Sequence, residues 1–99
     1  GQAAYSASKG GVVAMALPMA REFARIGVRV MTVAPGVFHT PMVDGMPQAV
    51  YDSLCAQVPY PSRLGKPDEF ADAVAFILQN RYLNGSVIRV DGAIRLQPK

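Results

Sequence analysis

Arg25-Ile26-Gly27-Val28-Arg29-Val30-Met31-Thr32-Val33-Ala34-Pro35-Gly36 is the stretch that decides the fold. Gly27 stands where a helix arriving from the N-terminal side would end in a left-handed residue. Val28 to Ala34 is β-branched and mostly apolar on both faces, as in a strand inside a parallel sheet. Helix and strand are joined by almost nothing, which is the rhythm of an α/β unit. Pro35-Gly36 then stops the strand, and in open parallel sheets ligands bind just beyond such ends. The loop Pro35 to Pro41 is therefore a candidate site.

Upstream of Gly27, the run Ala3 to Arg25 reads as one helix with its polar residues gathered at the two ends. Val12, Val13, Ala14, Met15, Ala16 and Leu17 leave almost no polar face, so the helix is expected to be covered on most sides. Its small residues, Gly10 and Gly11 among them, would let a partner helix approach closely, since each mid-helix glycine costs roughly 1 kcal/mol relative to alanine. Pro18 is expected to kink this helix rather than start a second one, because Leu17 is a poor N-cap.

Near the start of the same helix, Tyr5 and Lys9 lie four residues apart and project from one face. An ammonium close to a phenol oxygen stabilises the phenolate and lowers the pKa from its usual value near 10. Such a tyrosine can act as general acid or base toward an alcohol or carbonyl. The same spacing also fits a tyrosine packed in a core with a solvated lysine, so the pair alone decides nothing.

Downstream of the loop, Met42 to Ser62 carries Gly45 and several prolines, and only Pro47 to Gln57 reads as a short helix, with Pro47 in its first turn. Met42, Val43, Met46, Val50, Tyr51 and Leu54 make it apolar. Two readings stand: a lid over an acyl chain or ring system, or an ordinary helix packed on the body. Cys55 reads as a small buried hydrophobe and His39, the only histidine, as a solvated loop residue. Pro67 to Gln79 is a well-marked helix with Asp68 and Glu69 at its positive end and a core stripe of Phe70, Val74, Ile77 and Leu78. Asn84-Gly85 reads as a turn, and Ser86 to Val90 as a second strand closed by Asp91-Gly92. Two strands joined through a helix should lie parallel, but the pair is too small to be a finished sheet.

The 99 residues carry a net charge of +3, with basic residues scattered rather than gathered in a stripe interleaved with aromatics, so no nucleic-acid partner is expected. No uncharged apolar run is flanked like a membrane span, no signal peptide is read, and no Cys/His cluster has metal spacing. Cys55 is the single cysteine and fits a reducing compartment.

Taken together, YSASKGG, VAPGVFHT, RLGKPDEFADAVAFIL and NGSVIRVDG, in that order and spacing, resemble the short-chain dehydrogenase/reductase family over essentially the whole chain. The resemblance implies a Rossmann-type doubly wound parallel sheet, of which residues 1–99 would be the C-terminal half of a single domain. The glycine-rich phosphate loop, the acidic residue that selects NAD over NADP and the catalytic serine precede the Tyr-x-x-x-Lys helix in the family and are expected upstream. Ser6 and Ser8 lie inside the motif and do not take that serine's role. Carried over residue by residue, Tyr5 would exchange a proton with the substrate oxygen. Lys9 would lower the phenol pKa and bind the nicotinamide ribose. The Pro35-Gly36-Val37 backbone and the Thr40 hydroxyl would hold the carboxamide, with Phe38 beside the ring.

The stretches ALPMAREFARIGVRVMTVAPG, AQVPYPSRLGKPDEFA and LNGSVIRVDGAIRLQP are similar to the branch that interconverts 3-hydroxyacyl-CoA and 3-oxoacyl-CoA. That branch implies NAD as cofactor, NADP remaining open, an acyl-CoA substrate under the apolar lid, a homotetramer formed through the first helix, and an intracellular place in a bacterial cytoplasm or the mitochondrial matrix. The alternatives are a short-chain reductase of different substrate, such as an oxoacyl reductase, and a non-catalytic truncated family member kept for oligomer contact. The isolated chain is expected to be inactive, because it lacks the pyrophosphate site.

Overall fold

Gly27 takes the left-handed conformation the sequence calls for, with φ at 73°. The computed structural model describes residues 1–95; the Leu96-Gln97-Pro98 end of the LNGSVIRVDGAIRLQP stretch lies outside the described residues. The elements run helix α1 (Ala3–Phe23), a 3-10 turn (Ala24–Ile26), strand β1 (Thr32–Pro35), helices α2 (Pro41–Asp44), α3 (Gln48–Ala56) and α4 (Pro67–Gln79), and strand β2 (Val87–Val90). The strands pair with each other. Thr32 N donates to Ser86 O at 3.0 Å and Gly36 N to Val90 O at 2.9 Å, so the register advances in the same sense on both strands and the pair is parallel. The fold class is α/β, as the alternation of elements requires.

Residues 1–33 and 76–88 form one compact unit, and residues 34–75 with the segment from Arg89 form another. In the first unit α1 runs unbroken through Pro18 to Phe23, so the proline neither ends it nor opens a second helix. The expectation that α1 is covered on most sides does not hold within this chain. Only Ala16 and Ala20 are buried, while Val12, Val13, Met15 and Leu17 stand exposed. Gly85, at φ 71°, lies so close to α1 that a Cβ there would meet Leu17 Cδ1 at 3.0 Å and Ala20 Cβ at 3.3 Å.

After Gly27 ladder pairing starts only at Thr32, four residues later than the β-branched pattern suggests. Val28 to Met31 are held by side-chain and single backbone bonds instead. Val30 N donates to Asn84 Oδ1 at 2.9 Å, and Val30 O accepts from Gly85 N at 2.7 Å. The Arg29 guanidinium donates to the carbonyls of Ile77, Asn80 and Leu83 at 3.0, 3.2 and 2.9 Å. These include carbonyls at the C-terminal end of α4 that have no partner further along the helix, so Arg29 caps α4 from another part of the chain.

In the second unit the apolar segment after the loop holds two helices rather than one. Thr40-Pro41 opens a single turn, α2, with Pro41 in its first position, and Pro47 is the residue before α3 rather than inside it. Both prolines sit where a missing N–H is harmless. The core here is Val43, Val58, Leu64 and Ile94. The bounds of α4 agree with the sequence reading, but its stripe is only partly core: Ile77 is buried, whereas Leu78 is 67% exposed. Strand β2 begins at Val87, one residue later than read, and the chain turns sharply after it at Gly92 and Ala93, with φ of 56° and 64°.

Candidate active site

Each of the two units presents part of the motif set. In the first unit Tyr5 and Lys9 are neighbours on α1, with Tyr5 62% exposed. Lys9 Nζ lies over the tyrosine ring, 5.7 Å from its centroid, held by attraction of a cation to the ring face. Among the described residues the Tyr5 hydroxyl has no hydrogen-bond partner. Ser8 Oγ donates to the Tyr5 carbonyl at 2.8 Å, so that hydroxyl is spent within the helix.

In the second unit Pro35, Gly36, Val37, Phe38 and Thr40 line one side of an open groove of ≈ 550 Å³. Met42, Val43 and Met46 line the other side, and Pro67 and Phe70 of α4 complete it. The groove is mainly apolar, but its loop keeps two polar groups uncommitted. Thr40 precedes α2 without capping it through its side chain. The Val37 amide has no partner among the described residues, while the Val37 carbonyl accepts from Gly65 N at 3.0 Å. A free N–H and a free hydroxyl beside apolar walls are the few convergent polar groups that a small-molecule groove uses to orient its ligand.

The loop is held by groups the sequence reading passed over. Phe38 and Gly65 form a parallel bridge, and a Cβ on Gly65 would stand 2.7 Å from the Phe38 ring. Phe38 also meets Phe70 edge-on, with centroids 5.9 Å apart. Gly65 is itself fixed by its neighbours. Arg63 forms a two-pronged ion pair with Glu69, at 2.8 and 2.6 Å, and Glu69 reaches back to the Lys66 amide at 2.7 Å. That amide belongs to the residue preceding α4, and Glu69 stands three residues after it, which is half of a capping box. The Arg63 hydrogen bonds, then the Lys66 amide, hold the Glu69 carboxyl down to about 2.

Gly36 is the other close contact. A Cβ there would stand 2.8 Å from Asp91 Cα, so only glycine lets the loop leave β1 alongside the end of β2. Asp91 binds Arg89 Nε at 2.8 Å, Arg95 at 2.9 Å and the Ala93 amide at 3.0 Å. Its burial alone would raise its pKa, but hydrogen bonds from Arg89 and Ala93 and the two arginine charges hold it below the usual carboxylate value. His39 is exposed, as read, but paired with Asp44 at 2.9 Å. Cys55 is half-buried. No group of three potential metal ligands occurs among the described residues, and none of their helices is long and apolar enough to cross a membrane.

The sequence carried signals for some of this. The three-residue interval from Lys66 to Glu69 is a capping spacing, and a lone glycine just before a helix marks a tight contact. Nothing in the sequence pairs Arg29 with carbonyls about fifty residues away.

A family model described as "Enoyl-(Acyl carrier protein) reductase" matches residues 1–94. Human 3-hydroxyacyl-CoA dehydrogenase type-2 is 61% identical over 98 residues, an alignment covering 99% of this chain and 38% of that protein. Acetoacetyl-CoA reductase of Synechocystis is 44% identical over 96 residues, covering 94% of this chain and 40% of that protein. The crystal structure of 3-hydroxyacyl-CoA dehydrogenase type-2 from Mycobacterium avium matches with a TM-score of 0.92 at 47% identity, over 97% of this chain and 37% of that one. The chain thus spans well under half the length of the relatives it matches.

Proposed function

Because the chain belongs to the short-chain dehydrogenase/reductase family, we propose that it is the C-terminal portion of one dehydrogenase domain whose activity interconverts 3-hydroxyacyl-CoA and 3-oxoacyl-CoA with NAD. The observation that carries this is the 61% identity to a human protein named for that substrate class, spread over 98 of the 99 residues. The family implies a nicotinamide cofactor, which when bound supplies the hydride acceptor or donor. NAD rather than NADP, and the acyl-CoA substrate, are the finer parts of the proposal.

Tyr5 exchanges the proton of the substrate oxygen, and the exposed phenol on α1 supports its access to a ligand. Lys9, beside it on the same helix face, binds the cofactor ribose. The free hydroxyl of Thr40 and the Val37 amide orient the carboxamide, Pro35 and Gly36 shape the turn that presents them, and Phe38 forms the wall beside the ring. Met42, 85% exposed, and Met46 offer soft apolar surface to an acyl chain. The uncovered apolar face of α1, with open space around Gly10 and Gly11, supports a homotetramer assembled through that helix. A reducing compartment, a bacterial cytoplasm or the mitochondrial matrix, belongs to the same proposal.

The deciding assay uses a full-length protein carrying this segment, acetoacetyl-CoA and NADH, followed by absorbance beside an NADPH control. Oxidation of NADH in preference to NADPH is expected. Absence of turnover with either, in a folded protein, refutes the reading.

A further inference from the structure

His39 belongs to the ligand loop by its backbone and to the lid by its side chain. Its amide donates to the Gly65 carbonyl at 2.8 Å, between Phe38 and Thr40. Its Nε2 lies 2.9 Å from Oδ1 of Asp44, the last residue of α2. Its ring meets Tyr51 of α3 edge-on, with centroids 6.1 Å apart and planes at 78°. One side chain therefore ties the loop to both lid helices. Met42 and Val43 on α2, and Met46 just beyond it, form a wall of the groove, so whatever holds α2 to the loop sets the groove's width.

The titratable groups around His39 are Asp44 from α2 and Tyr51 from α3, with Asp52 and Cys55 beside Tyr51 on the same helix. Burial first, then Cys55, Asp52 and Asp44, push the Tyr51 hydroxyl above its usual value, so it stays neutral. Asp44 is the charged partner. A neutral imidazole can only hydrogen-bond to it; a protonated one adds the attraction of opposite charges, and imidazoles change charge between about pH 5 and 8.

We propose that His39 is a positioning residue, whose pairing with Asp44 holds the α2–α3 lid against the ligand loop and thereby sets the affinity for the acyl part of the substrate. The proposal rests on the reading of this groove as the substrate site. Both partners are about half exposed, at 49% and 60%, so the pair belongs to the modest class. Its loss is expected to change affinity about three- to fivefold and to leave kcat unchanged.

Asp44→Asn and His39→Arg in the full-length protein test it. KM and kcat for acetoacetyl-CoA are measured between about pH 5.5 and pH 8.5, a range that brackets the ordinary imidazole value, together with amide protection factors across residues 40–56, each exchange rate being divided by the intrinsic rate at that pH. In the parent protein KM is expected to rise, and the protection of the lid amides to fall, as pH rises. Asp44→Asn should show the high-pH values throughout. His39→Arg, cationic at every pH, should keep the low-pH values throughout. Identical KM and exchange in Asp44→Asn and the parent at the acidic end, or a pH response that survives in His39→Arg, overturns the proposal. A folded protein inert toward acetoacetyl-CoA with either nicotinamide refutes the functional reading instead, and the exchange comparison alone then decides the pairing.

Discussion

Replacing Tyr5 by Phe removes one oxygen and keeps the ring over which Lys9 lies. In the full-length protein this should lower kcat by at least about 10² while leaving cofactor affinity nearly unchanged, as expected when a general acid is lost. Steady-state kinetics with cofactor titration checks it, and near-normal turnover would rule Tyr5 out. Thr40→Val should instead raise the KM for cofactor about fivefold, the worth of one hydrogen bond of roughly 1 kcal/mol. Glu69 offers a test by pH. Its folded-state pKa is depressed to about 2 from 4.5, so the stability it contributes is full above the unfolded value and is lost as pH falls from about 4.5 toward 2. Glu69→Gln should flatten the stability profile in that window, read by unfolding at stepped acidic pH. At this scale the placing of Tyr5 and Lys9 on one helix face, and of Pro35 to Thr40 in one groove, was legible because both are local patterns. The lysine's seat over the ring was not, because spacing fixes a helix face and leaves open which part of the neighbour is touched.

Among the elements, Arg29→Ala should expose what the long-range cap contributes. Several carbonyls at the end of α4 lose a charged donor, and a loss of about 1–3 kcal/mol is expected in denaturant unfolding. Arg29→Lys should recover only part of it, since an ammonium cannot span the same fan of acceptors. Gly65→Ala should displace the Phe38 ring, which its Cβ would approach to 2.7 Å, and weaken cofactor binding more than it slows turnover. The bounds of α4 were legible because proline, acidic first turn and apolar stripe all agree, whereas the stripe alone did not tell that Leu78 would stand exposed. Strand β1 was read four residues too early, since β-branched residues signal an extended backbone, whereas a ladder needs a partner, and β2 supplies one only from Thr32 onward. The single turn α2 escaped notice because four residues carry no periodicity.

For the whole molecule, the sheet of two strands and the exposed α1 are what the family expects of a part of a larger sheet. The family's glycine-rich phosphate loop is not found among these 99 residues. The chain alone is therefore expected to bind NADH weakly or not at all by isothermal titration, and micromolar binding would contradict the proposal for its place in the domain. The fold class was legible because the helix-strand alternation is written in periodicity and turn residues. That α1 stands uncovered here was not, since an apolar helix states that it will be covered without saying by what.

If α1 is the contact of the proposed tetramer, the open space around Gly10 and Gly11 sets folding and assembly in opposition. A methyl group at either position meets nothing within 4 Å in this chain, and alanine favours a helix by about 1 kcal/mol over glycine. Gly10→Ala should thus make the lone chain harder to unfold, while the same methyl stands in the way of a second backbone. A variant that gains in thermal midpoint yet sediments as a smaller species would show that these two positions serve the assembled state at the expense of the single chain.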